Sequence, residues 1–162
     1  MEFVLMGLVL LLDQLSKIWA AASLQTAPFV LIPGALELTY VENRGAVWGM
    51  MQGGRVVFLL VTVVFLCFMG FFFARQRKNM STLTRVILAL LVSGALGNMI
   101  DRLFLGYVRD MVYVRLINFP VFNVADSAIC IAAGLLIWET LFKKKDTTFD
   151  LLEKTFSKKE QS

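Results

Sequence analysis

Four stretches of this chain stay apolar for about twenty residues each, the length at which a helix crosses a hydrocarbon core of roughly 30 Å. They are approximately Phe3–Ala22, Val56–Ala74, Leu83–Leu103 and Val121–Phe142. Between the first two, Phe29-Val-Leu-Ile-Pro33, Gly34-Ala35 and Leu36-Glu-Leu-Thr-Tyr-Val41 read as two short strands of a hairpin around a Pro/Gly turn. Glu37, Thr39 and Val41 alternate with Leu36, Leu38 and Tyr40, the period of a half-buried strand. Next, Asn43 and Gly45 predict a turn, and Trp48 with Met50 and Met51 predicts a return to the membrane surface. The fold class is therefore an all-α membrane protein of four transmembrane helices.

Charge fixes the expected orientation. Arg75, Arg77, Lys78 and Arg85 crowd the connection between spans two and three, and Lys143-Lys144-Lys145 follow span four. Basic residues in short loops mark the cytoplasmic side, so both termini are expected inside. The loops Ser23–Arg55 and Phe104–Pro120 then face outward, although Arg44, Arg55, Arg109 and Arg115 dilute the bias. The first span lacks a basic leader and is interrupted by Asp13 and Lys17, so it reads as a retained helix and not as a cleaved signal. Residues 1–145 form one integral membrane domain. The charged tail 146–162 is expected to be mobile, with an amphipathic helix around Phe149–Phe156.

Composition agrees: 58% of the residues are hydrophobic, against about 45–50% apolar in soluble domains. Mean hydropathy is +0.72. The net charge of +4 lies largely on the inner side and suits anionic lipid, not nucleic acid. There is no histidine, which excludes His triads and His metal ligands. Cys67 and Cys130 fall inside spans two and four with no Cys-x-x-Cys spacing, and read as buried apolar filler. No metal and no cofactor is expected.

The chemistry lies in the aspartates. Asp13, Asp101, Asp110 and Asp126 stand inside or beside the apolar segments, where a charge costs roughly 2.5–3.5 kcal/mol at the bilayer centre and by default marks a functional site. Two occur in a repeated Asn-x-x-Asp element, Asn98 to Asp101 and Asn123 to Asp126. Asn98, Asp101 and Arg102 share a helix face by their i, i+3, i+4 spacing, as do Asn123 and Asp126. Antiparallel spans three and four bring both elements to the same outer depth, and Asp110 in the connection between them folds back to the same place. Asp13 and Lys17, four apart, read as a structural ion pair. Arg102 offers a fork to a substrate carbonyl or neutralises Asp101.

Two neighbouring carboxylates cannot both ionise easily, so one keeps a proton near neutral pH. The ionised one then activates water while the protonated one polarises a carbonyl, which is aspartic proteolysis without metal, His or Cys. The same residue types suit a small proton-coupled transporter, which remains the alternative on spacing alone. A relay would spread carboxylates across the bilayer, whereas span two has none and span four has only Glu139 toward its inner end. A Ser16/Lys17 hydrolase is disfavoured, because adjacent helical residues point about 100° apart.

Five motifs in order, Asp13-Gln-Leu-Ser-Lys17, Asn43-Arg-Gly45-Ala46 with Trp48-Gly49, Gly97-Asn98-Met-Ile-Asp101-Arg102, Gly106-Tyr-Val108-Arg-Asp110 and Phe122-Asn123-Val-Ala125-Asp126-Ser127, resemble the signatures of lipoprotein signal peptidase (signal peptidase II). The resemblance spans about residues 13–127. It implies an aspartic endopeptidase of the bacterial inner membrane, monomeric and surrounded by membrane lipids. Such an enzyme cleaves prolipoproteins just before the lipid-modified cysteine, near the extracytoplasmic face. By motif, Asp110 and Asp126 become the catalytic dyad. Asn43, Gly45, Asn98, Arg102 and Asn123 become substrate-binding residues, with Asp13, Lys17 and Asp101 in support. The family's small extracytoplasmic β-sheet agrees with the predicted hairpin. Where the family usually shows Val-Asp-Phe, this chain reads Arg109-Asp110-Met111, and an arginine there is expected to depress the Asp110 pKa.

Overall fold

The computed structural model describes residues 1–45, 53–143 and 147–157. Its elements run α1 (Glu2–Ser23), β1 (Phe29–Ile32), β2 (Leu36–Asn43), α2 (Arg55–Gln76), α3 (Thr82–Phe104), β3 (Val108–Val114), α4 (Val124–Phe142) and α5 (Thr148–Ser157). Among the described residues α1 to α4 are long and apolar enough to cross a bilayer, so the chain is a multi-pass membrane protein. The predicted return to the membrane surface at Trp48, Met50 and Met51 lies outside the described residues.

Helix α3 is the axis of the bundle and packs against α1, α2 and α4. It starts at a side-chain cap, Ser81 Oγ accepting from the Thr84 N–H at 3.1 Å. Toward its C-terminal half its buried stripe is small or polar, with Ala89, Ser93, Gly94, Gly97, Asn98 and Asp101. Gly94 and Gly97 meet Ala125 of α4, whose other buried residues include Ala128 and Ala132. Small residues let helix backbones approach where lipid supplies no hydrophobic drive between helices. Two glycines are required by that closeness. A Cβ on Gly94 would sit 2.5 Å from the Ala125 carbonyl oxygen, and one on Gly97 would sit 2.5 Å from Asp13 Oδ2. Gly97 thus makes room for a carboxylate between α1, α3 and α4.

The predicted hairpin is present, and the order β1-β2-β3 adds a third antiparallel strand from the connection between α3 and α4. The sequence reading leaves that connection as loop. Val108, Val112, Tyr113 and Val114 are strand formers, but Arg109 and Asp110 interrupt them, and their partner strand lies about seventy residues upstream. The register pairs Val41 with Asp110 and Asn43 with Val108, with an irregularity between Leu38 and Val41. That irregularity breaks the predicted alternation: Glu37 is buried against Arg115 at 2.6 Å, and Val41 is exposed.

Helix α4 begins at Val124, three residues later than the apolar run suggests. Phe122 instead bridges Val112 in extended form, and Asn123 caps the helix. Helix α5 matches the amphipathic segment predicted in the tail, yet it is docked. Leu151 is buried, Gln76 donates to Thr155 at 2.9 Å, and Phe156 stacks on Phe68. Both cysteines are exposed, not buried filler. Cys67 turns outward from α2 because the face of that helix toward its neighbours is carried by Met69 and Phe72.

Candidate active site

The site forms where the sheet meets the ends of α3 and α4. Its cavity, about 640 Å³, is lined by Asn43, Asn98, Arg102, Asp110, Asp126 and Ser127, and on its apolar side by Phe119, Phe122 and Ile131 among others. Cys130 also lines it, one helical turn from Asp126. The carboxylates of Asp110 and Asp126 therefore face one space, although one comes from a strand and the other from a helix.

Each carboxylate is held by amides. Asp110 accepts from Asn43 Nδ2 at 3.0 Å and from Asn123 Nδ2 at 2.6 Å. Asp126 accepts from Asn98 Nδ2 at 2.7 Å and from the Asn123 backbone N–H at 3.2 Å. In return, Asn123 Oδ1 accepts from the Asp126 N–H at 2.9 Å, which closes a reciprocal capping box at the start of α4. Asn123 thus serves the helix start and both carboxylates together. Asn43 turns the chain as predicted, its Oδ1 accepting from the Gly45 N–H at 3.0 Å. Gly45 contributes its carbonyl, to which Arg102 donates at 3.4 Å while its guanidinium lies 4.8 Å over the Phe58 ring.

Burial and the negative charge of Asp126 push the Asp110 pKa up to about 7, against the opposing pull of its Asn43 and Asn123 hydrogen bonds and of Lys17. The expected depression by Arg109 is thus overturned. Adjacent strand residues point to opposite faces, so Asp110 faces the cavity while Arg109 reaches the far side of the strand. There its guanidinium donates to both oxygens of Asp101, Nη2 at 2.7 Å and Nε at 3.0 Å. Those bonds hold the Arg109 pKa above its ordinary value.

The predicted role of Arg102 as the partner of Asp101 is corrected in the same way. The i, i+3, i+4 face of α3 divides: Asn98 and Arg102 line the cavity, and Asp101 turns toward α1 and β3. The predicted pair of Asp13 and Lys17 is present at 2.9 Å, and Lys17 also reaches Asp101 at 3.7 Å and Asn98 Oδ1 at 3.0 Å. Asp13, Lys17 and Asp101 are fully buried. Asp13 additionally accepts from the Ala125 N–H of α4 at 2.9 Å, one of the N–H groups a helix start leaves unpaired. These three residues form a charged floor beneath the cavity.

Two residues that sequence reasoning left out belong to this floor. Gln14 bonds Asp13, the Gly97 carbonyl and Asp101, and Arg109 clamps Asp101. Gln14 carried a signal in being a second polar residue beside Asp13 in an apolar span. Arg109 became legible only once β3 existed. Among the described residues, no three Asp, Glu or Cys side chains are grouped so as to hold a metal ion.

Comparison with known proteins adds an independent line. A family model described as signal peptidase (SPase) II matches residues 5–142. The chain is 41% identical over 147 residues to a lipoprotein signal peptidase of Latilactobacillus sakei, covering 90% of this chain and 97% of that one. It is 38% identical over 154 residues to a lipoprotein signal peptidase of Clostridium acetobutylicum, covering 93% and 98%. A bacterial membrane enzyme solved by the in meso method at 2.3 Å superposes with a TM-score of 0.81 and 32% identity, over 89% of this chain and 91% of that one.

Proposed function

The chain belongs to the signal peptidase II family and is a peptide hydrolase, and from that premise we propose that it is a membrane aspartic endopeptidase of prolipoproteins with Asp110 and Asp126 as its dyad. It removes the signal peptide by hydrolysing the bond before the diacylglyceryl-modified cysteine. The observation that carries the dyad is the pair of carboxylates facing one cavity, each steadied by amide donors. The relay alternative finds no support in the family or in a carboxylate cluster gathered at one end of the bundle.

With its pKa near 7, Asp110 holds the shared proton below neutrality. Asp126 is then the base that takes a proton from water as the oxygen attacks the scissile carbonyl. Asp110 donates to the carbonyl oxygen as charge develops there, and Arg102 stands on the same cavity wall to stabilise that charge. Collapse of the tetrahedral intermediate returns the carbonyl and passes a proton to the leaving amine. Asn43, Gly45, Asn98 and Asn123 keep the carboxylates and the substrate strand in place. The expected pH dependence follows: kcat/KM should fall as pH rises past about 7 and Asp110 loses its proton. A profile flat from pH 6 to 9 rejects Asp110 as the acid.

The basic connection after α2 and Lys143 support an N-in, C-in orientation in the bacterial inner membrane, with the sheet and the cavity at the extracytoplasmic face. On this reading the enzyme is a monomer in contact with membrane lipids. Residues 1–145 are its catalytic domain and 146–162 a cytoplasmic tail.

The deciding experiment incubates purified enzyme with a diacylated prolipoprotein and with the same precursor unlipidated, and weighs the products. A lipid anchor fixes the scissile bond at the bilayer surface and replaces a search in three dimensions. The lipidated precursor should be cut just before its modified cysteine and the unlipidated one poorly. Equal rates on the two precursors reject the lipoprotein assignment.

A further inference from the structure

We propose that Arg109 is a positioning residue for catalysis, one that anchors the strand carrying Asp110 and balances the buried charge beneath the dyad. The proposal rests on the assignment of Asp110 and Asp126 above and goes beyond it to a residue that faces away from the cavity.

The anchoring is visible on three sides of the residue. The Arg109 N–H donates to Asp101 Oδ2 at 2.9 Å, and Nε and Nη2 grip the two oxygens of the same carboxylate at 3.0 and 2.7 Å. This two-pronged geometry fixes direction as well as distance. Nη2 also reaches Gln14 Oε1 at 3.1 Å, which ties β3 to α1. On the carbonyl side, Asn123 Nδ2 lies 3.5 Å from Arg109 O and 2.6 Å from Asp110 Oδ1. The backbone that aims Asp110 is therefore held between α3 and the start of α4.

The charge argument is separate. The floor beneath the cavity holds Asp13 and Asp101 against Lys17 and Arg109, two negative and two positive groups in linked contact. The charged groups around it are Asp13 and Lys17 from α1, Asp101 and Arg102 from α3, Asp110 from β3 and Asp126 from α4. Strand β2 adds Tyr40 and Glu42, the latter exposed and engaged by Arg44 at 3.1 Å. Without Arg109, Lys17 alone would face two buried carboxylates, and the floor would carry an excess negative charge. Negative potential disfavours ionisation of any carboxyl above it.

The test compares wild type, Arg109→Met, Arg109→Lys and the double variant Asp101→Asn/Arg109→Met, as kcat and KM against pH per folded molecule. Arg109→Met should lower kcat by about 10²-fold, the scale for a misplaced catalytic group, with KM little changed. Both limbs of its pH profile should move to higher pH. Arg109→Lys keeps the charge without the fork, so it should lose kcat with limbs at the wild-type positions. In the double variant Asp13 and Lys17 again balance, so the limbs should return and folding should not suffer from an orphaned charge. Limbs of Arg109→Met that stay at the wild-type pH, with only the folded yield reduced, reduce Arg109 to a structural residue. Limbs of the double variant that stay displaced overturn the charge balance. Asp110→Asn measured alongside separates the two readings: retained turnover there removes the dyad itself, whereas abolished turnover with an unmoved Arg109→Met profile removes only the positioning role.

Discussion

Asp110→Asn and Asp126→Asn should each cost at least the 10²–10⁴-fold that general acid–base catalysis typically supplies. Asn keeps the size of the side chain and one acceptor oxygen, so one of the two donors that each carboxylate holds on separate oxygens keeps its partner while the other meets an NH2. What vanishes is the exchangeable proton on one side of the cavity or the base on the other. Residues that act as one unit are non-additive, so the double variant should be little worse than either single. Asp13→Asn and Asp101→Asn belong to another class. They leave Lys17 or Arg109 short of a buried partner and should lower the yield of folded enzyme. Asp13→Asn should spare the turnover of what folds, whereas Asp101→Asn, which also loosens the Arg109 fork, should lower it by less than the loss of a dyad carboxylate does. The measurement is cleavage rate per molecule that extracts as a monodisperse species. Well-folded Asp101→Asn without turnover, beside fully active Asp110→Asn, would transfer the dyad to the two Asn-x-x-Asp elements.

That contrast also shows where the sequence was readable. The four spans and the hairpin follow from runs and alternation that are local, so they could be placed before any contact was known. The aspartates stood out because a charge in an apolar span needs a reason. Their division of labour was not local. Asn-x-x-Asp at 98–101 and at 123–126 looks like one device used twice, yet in the first element Asp101 turns to Arg109 and Lys17, while in the second Asp126 closes a capping box with Asn123. Which face Asp101 presents is decided by strand β3, whose pairing with β2 is non-local. The same strand reverses the expected effect of Arg109 on Asp110, because neighbours in sequence become opposite faces of a sheet. The docking of α5 was hidden for a similar reason, since Leu151 and Thr155 read as tail residues until α2 lies beside them.

Lys17→Met should be the most destabilising single change in the floor. Lys17 is fully buried, pairs with Asp13 at 2.9 Å, lies 3.7 Å from Asp101 and donates to Asn98 at 3.0 Å. Removing one partner of a buried pair typically costs about 3–5 kcal/mol, because the charge left behind has neither water nor counter-ion. Here Arg109 still compensates Asp101, so the orphan is Asp13, whose Oδ1 also holds the Ala125 N–H at the start of α4. Asp13→Asn in the Lys17→Met background removes that orphaned charge and leaves a side-chain oxygen for Ala125, so the double variant should regain much of the lost stability. Thermal unfolding in one detergent, followed by loss of the monodisperse species, ranks the three proteins. The single variant should melt lowest, the double between it and wild type. Lys17→Met as stable as wild type would mean that the Asp13–Lys17 contact contributes nothing to stability, and the floor would then have to be redrawn without its first ion pair.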